Sequence, residues 1–201
     1  MRCAIAILSS FFLLQAPAFA QNRVDVEDLA HHPIEVDFPS GGQLELHIRS
    51  AEIHILGSDE DKVVVSASGR QGSDSTDIRA HFEHFANSGK LRVNGGPDGN
   101  VTITVQIPKH SDLGVRIFAG DVEIKDIKGN KDVELSAGNL TIGVGDAADY
   151  FHVGASVTTG NIEAAPFGES RGGLFRSFEK SGNGRYKLVA HVGAGNLTLT
   201  N

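Results

Sequence analysis

The 201-residue chain has no tryptophan, two tyrosines and a single cysteine, Cys3. One cysteine excludes an internal disulfide, so any fold must be held by packing alone. The shortage of Trp and Tyr removes the large amphipathic rings on which sugar faces usually stack. No Lys/Arg cluster is longer than a pair, which argues against counterion-release binding to nucleic acid or to an anionic membrane surface. After the first twenty residues no apolar run approaches membrane-spanning length, and no amphipathic helical period extends over ten or more residues.

What is present begins with an N-terminal leader. Arg2 supplies a positive end, Ala4 to Leu14 form an apolar run too short to cross a bilayer, and Ala18-Phe19-Ala20 offers small residues for cleavage. The expectation is a signal peptide over residues 1–20, removed on export, with no integral membrane segment afterwards. Cys3 precedes the apolar run, so a lipid anchor on a cysteine following the cleavage site is excluded. Removing Arg2 with the leader leaves 17 basic against 25 acidic residues, a formal net charge of −8. The remaining length suits one domain with a sizeable core.

Residues 21–33 show no clear period before Pro33, and predict a flexible N-terminal arm. From residue 34 to 201 the chain predicts a single domain. Period-two alternation runs through "IEVDF", "LELHI", "EIHIL" and "KVVVSAS", which reads as strands with one buried face. "IRAHFEHF" (78–85) fits a strand or a short helix. "KLRVN" and "VTITVQI" flank "GGPDG", whose Gly and Pro residues predict a hairpin. Residues 165–184, "APFGESRGGLFRSFEKSGNG", read as a loop insertion with Leu174, Phe175 and Phe178 packed down as a flap.

One short pattern recurs: Gly120-Asp121, Gly129-Asn130, Gly138-Asn139, Gly160-Asn161 and Gly195-Asn196, each leading into two or three alternating apolar residues. Glycine takes the positive φ that a Cβ disfavours, and Asn or Asp tolerates a tight turn. Each unit reads as a sharp corner followed by a short strand. One such strand cannot bury its apolar face alone, because each buried Val, Leu or Ile is worth only about 1.5–3 kcal/mol against a comparable ordering cost. Stacked units share a core. The expected fold is all-β: a β-helix-like or β-roll-like stack of short strands, with antiparallel hairpins concentrated in the N-terminal half.

The stretches "GGQLELHIRSAEIHILGSDEDKVVVSASG", "VTITVQIPKHSDLGVRIFAGDVEIKDIKGNKDVELSAGNLTIG" and "YKLVAHVGAGNLTLT" resemble the bacterial "putative adhesin" domains, β-strand repeats of the toastrack type. The resemblance covers most of residues 34–201 and implies an all-β domain outside the cytoplasmic membrane, with adhesion or sensing at the cell envelope. It carries over no catalytic, cofactor or ligand residue.

The residues offer several partial matches to known chemistries. "GESRG" (168–172) matches the G-x-S-x-G nucleophile pattern around Ser170, with Glu179 and His191 following, but the required strand-turn-helix context is missing. His31, His32, His47, His54, His81 and His84 lack metal-ligand spacing, although His47 and His54 would meet across a hairpin. Glu123, Glu134, Thr141, Glu163 and Thr198 should point outward as an acidic and hydroxyl ribbon. Asn100, Asn139 and Asn196 match the N-x-T sequon, the last two as by-products of the corner motif. The expectation is an exported, non-enzymatic β-repeat module of the periplasm or cell surface, with no cofactor or metal, whose partner is an envelope or surface protein or polymer. The alternative is a carbohydrate-binding or carbohydrate-processing β-helix protein.

Overall fold

Alternating apolar residues favour extended chain, and glycines set in that alternation decide where the chain bends. The computed structural model describes residues 22–69, 78–94 and 101–201. Eight shorter strands come first: β1 (Asn22–Val26), β2 (Ile34–Asp37), β3 (Gln43–Ser50), β4 (Glu52–Ser58), β5 (Lys62–Gly69), β6 (Arg79–Phe85), β7 (Ser88–Asn94) and β8 (Val101–Pro108). Five long ones follow: β9 (Asp112–Lys125), β10 (Lys131–Gly143), β11 (Tyr150–Ala164), β12 (Glu169–Ser181) and β13 (Tyr186–Thr200). All belong to one mixed sheet, so the fold is all-β as expected.

The long strands share one break. Gly120, Gly138, Gly195 and Gly160 lie in register across β9, β10, β13 and β11, with φ of 134°, 131°, 142° and 139°. Inward side chains change parity there: Leu113, Val115 and Ile117 precede Gly120, whereas Val122 and Ile124 follow it. The same reversal separates Leu135 from Leu140, Val192 from Leu197 and Val157 from Ile162. The sheet therefore folds along the glycine row, and both halves turn their aliphatic faces into one core.

The shorter strands pair up to make equivalent rungs. β3 and β4 run beside the two halves of β9, interrupted at Ala51. β7 and β8 flank β3 and β4 in turn, then β6 and β5, then β1 and β2. Nine rungs cross the fold line among the described residues. Antiparallel pairing is concentrated at the N-terminal end, in β1–β6, β2–β5, β5–β8 and β6–β7. The final strand, β13, lies between β10 and β11, parallel to both.

Four details differ from the sequence expectation. Residues 22–26 of the supposed arm form β1 against β6, since Val24 and Val26 supply just enough alternation to pack on the core, and Leu29 is fully buried. β7 and β8 do not form a hairpin: each is parallel to one member of the β3–β4 pair, so the "GGPDG" connection joins the two halves, its residues 95–100 lying outside those described. Residues 165–184 are one 3-10 turn (Ala165–Phe167) followed by edge strand β12 rather than a loop; Phe178 is buried, but Leu174 and Phe175 are exposed. Gly129-Asn130 sits at the start of β10, not on the fold line. Residues 78–85 resolve as strand.

A methyl on any fold-line glycine would overlap a carbonyl oxygen: that of Ala51 for Gly120, Gly120 for Gly138, Gly138 for Gly195 and Gly195 for Gly160. Gly195→Ala should therefore prevent folding, whereas Gly114→Ala, with its nearest atom at 3.8 Å, should shift stability by less than about 1 kcal/mol; thermal melts of the two variants check this. Leu140→Asp buries an unpaired charge and should cost several kcal/mol, while Thr141→Asp on the outer face should cost less than about 1 kcal/mol. Chemical denaturation of both variants measures the difference.

Candidate functional site

The four residues placed four positions before the fold-line glycines are Arg116, Glu134, His191 and Ser156, and register sets them side by side on the outer face of the first half. On the N-terminal side the row continues through His47, Arg92 and His81. Arg116 bridges Glu134 at 3.3 Å and Asp132 at 3.1 Å. His47 meets Glu45 at 2.6 Å, and Lys90 donates to the other oxygen of Glu45 at 2.9 Å. Lys90, and after it His47, hold the Glu45 carboxyl below its usual range. His81 is gripped by Glu83 at 2.8 Å and by Asp25 of β1. These two carboxylates raise its pKa, Glu83 contributing most, which favours the charged form that ties β1 to the sheet.

The outer face of the second half carries most of the predicted ribbon. Thr104, His54, Glu123, Thr141, Thr198, Glu163 and Ser170 follow one another across the strands. Two threonines separate Glu123 from Glu163, so like charges are not neighbours. Glu134 is absent from this row, because it precedes the glycine and therefore belongs to the first half. His47 and His54 likewise lie on opposite halves and do not meet. Among the described residues no group of three or more His, Cys, Asp or Glu converges as a metal site.

Ser170 stands on β12 opposite Glu163 in the second half, across the fold line from Glu179 and His191. The Gly-Glu-Ser-Arg-Gly match is thus an edge strand, and its three candidate residues are not brought together. Instead, Ser156 Oγ and His191 Nδ1 lie 2.8 Å apart. Aligning the repeats on their glycines would have found this pair, since both residues precede one by four.

At the fold line the turn residues form a directed ladder. Asp121 only accepts, so Asn139 donates its amide to it at 2.8 Å; Asn196 donates to Asn139 at 2.9 Å, and Asn161 to Asn196 at 3.1 Å. The sequon asparagines 139 and 196 are therefore links of this ladder, while Asn100 lies outside the described residues.

Beneath one end of the sheet, Lys131 is buried, with 1% of its surface exposed. Its Nζ donates to Tyr150 Oη at 2.7 Å and to the Gly129 carbonyl at 3.3 Å, and Tyr150 passes a hydrogen bond to the Val144 carbonyl at 3.3 Å. Burial lowers the Lys131 pKa to about 8, opposed by Asp112 and Asp149. The same burial, aided by Asp149 and Tyr186, raises Tyr150 to about 12. The amphipathic period hid this pair, because an inward lysine in "NKDVELS" reads as one more polar residue.

A hollow of about 420 Å³ opens on the first-half face where β7, β3, β9 and β10 near the fold line. Arg49, Arg92, Arg116, Asn94, Phe118 and Ser136 surround it. At the far edge, β12 guards itself: Arg171 donates to its own strand's Ser177 carbonyl at 2.6 Å, and Arg176 Nε to the Gly172 carbonyl at 2.9 Å. Both carbonyls would otherwise invite another strand.

No family model matches the chain, and no curated protein matches it. Among solved structures, that of a "putative cell adhesion protein" from Clostridium sporogenes ATCC 15579 is similar, with 13% identity and a TM-score of 0.47 over 90% of this chain and 100% of that one. At that level the likeness carries no inference about this chain's function.

The Lys131–Tyr150 pair predicts a pH signature. Between about pH 8 and 10.5 the unfolded chain holds more protons at Lys131 than the folded one, so stability rises with pH. Between pH 10 and about 12 the folded chain holds more at Tyr150, so stability falls. Lys131→Met should abolish the rise, on the order of 3 kcal/mol, and Tyr150→Phe the fall; denaturant unfolding of parent and variants across pH 7–12 measures both.

Proposed function

We propose that this chain is an exported, non-enzymatic module of the bacterial cell envelope or surface, which binds an envelope protein or polymer through the outer face of its first half. The observation that carries this reading is the row Arg92–His47–Arg116–Glu134–His191, repeated side chains held at fixed spacing on a rigid sheet beside a solvent-open hollow. Ladders and rows of this kind present a surface without moving parts. The leader over residues 1–20 supports export, and reliance on packing without disulfides is compatible with it.

The Ser156–His191 contact does not favour hydrolysis. β11 is paired on both sides, with β13 and β12, so the backbone N–H groups beside Ser156 belong to sheet ladders. An oxyanion hole needs such donors free and aimed at the developing charge. A carbohydrate role is the second reading. Tyr150 is buried and Tyr186 is only partly accessible, so neither tyrosine offers a broad stacking platform, and a sugar would be held mainly by charge with Phe118 as the exposed ring beside the hollow.

Cells expressing the full chain should release a protein beginning at Gln21 outside the cytoplasmic membrane, established by fractionation and intact mass. The purified protein should bind isolated envelope material without shortening or hydrolysing it, equally well as Ser156→Ala. An uncleaved cytoplasmic product, or turnover lost in Ser156→Ala, would sink this reading.

A further inference from the structure

We propose that the first-half hollow binds the carboxylates of an acidic polysaccharide, a chain of uronic acid units; this rests on the binding-module reading above and names its ligand class. Register places Arg92, His47 and Arg116 on adjacent strands, with Asn94, Arg49 and Phe118 one outward position nearer the fold line. Neighbouring strands are about 4.8 Å apart, so the Arg92 and Arg116 backbones are separated by roughly 10 Å, with His47 between them and Arg49 one outward position further along the same middle strand. This triangle of guanidinium groups reaches across the strands over a distance that a sugar unit and its neighbour would span.

The arginines are not equivalent. Arg116 is pinned by the carbonyls of Val115 and Asp132, each at 3.0 Å, and by Glu134 and Asp132. It shapes the floor, and Glu134 beside it repels a misplaced anion. Arg92 has one ion pair among the described residues, to Glu83 at 3.6 Å. Arg49 makes no hydrogen bond or ion pair among the described residues. Two guanidinium groups thus stand ready beside the hollow in a chain whose part beyond the leader has a net charge of −8, and the guanidinium fork matches a carboxylate bidentately. Phe118, 67% exposed, forms an apolar wall at the rim. A free phosphate or a lone acidic side chain would leave that wall unused, whereas a pyranose offers its C–H face to the ring and its carboxylate to Arg49.

Calorimetric titration of the purified protein with tetragalacturonate, with maltotetraose as the neutral counterpart and inorganic phosphate as the bare anion, tests this. Tetragalacturonate should bind, weakening as salt rises, while maltotetraose and phosphate bind at least tenfold more weakly. Arg49→Ala and Arg92→Ala should each cost about tenfold in affinity, as loss of a charge-assisted hydrogen bond predicts. Arg49→Lys should recover only part, and Phe118→Ala should weaken tetragalacturonate without affecting phosphate. All three positions face solvent, and unchanged melting curves show that the fold is kept. Arg171→Ala, on the distant edge strand, should bind like the parent. The proposal is overturned by absent tetragalacturonate binding, by equal binding of phosphate or maltotetraose, by indifference to Arg49→Ala and Arg92→Ala, or by an equal loss in Arg171→Ala. Envelope binding that survives without tetragalacturonate binding overturns this ligand assignment alone. Absence of both overturns the binding-module reading as well.

Discussion

Across the middle of the bend, a backbone carbonyl of one rung rests against the α-carbon of the next, and only a residue without a side chain fits the gap. From Ala51 through Gly120, Gly138 and Gly195 to Gly160, each glycine receives the carbonyl of its neighbour where a methyl would overlap it. This contact lets strands of 13 to 15 residues turn together without breaking their pairing. It also forces the change of parity that points both halves inward. The core, the polar outer faces and the hollow all inherit their positions from it.

Because the bend falls at one place in every long strand, distance from the glycine becomes a coordinate system. Four residues before it lie Arg116, Glu134, His191 and Ser156; one after it lie the ladder residues Asp121, Asn139, Asn196 and Asn161. Chemistry on this surface is consequently arranged in lines across the strands, one side chain per rung. A line suits recognition of an extended partner better than it suits convergence on a reacting atom. The cationic end of the first-half line and the threonine-rich line of the second half are two such tracks, facing different directions.

Much of this was legible in the residues themselves. The alternation and the glycine-asparagine corners indicate stacked strands, and they place Leu140 inside and Thr141 outside. What escaped is long-range: which corner pairs with which, and on which half a strand lies. "GGPDG" carries the local chemistry of a hairpin, yet its flanking strands have better partners in β3 and β4, and tertiary pairing overrides the turn preference. β1 is not legible in the residues of the arm, because two valines are too few to show a period until β6 provides a partner. Ser156 and His191 were invisible as a pair for the opposite reason: 35 residues separate them, and only superposition of the repeats makes them adjacent. Lys131 lay in the right place for a core residue but was of the wrong type.

The placement of β13 has a consequence for the order of assembly. Its two neighbours, β10 and β11, are parallel strands joined by a short link, and the gap between them stays empty until residues 186–200 arrive. The centre of the sheet is thus closed by a strand that follows all its neighbours in the sequence, through contacts of long sequence separation that form slowly. A nascent chain lacks the centre of its sheet until residues 186–200 have emerged, and a product truncated near residue 185 cannot recover the native sheet by rearranging what is left.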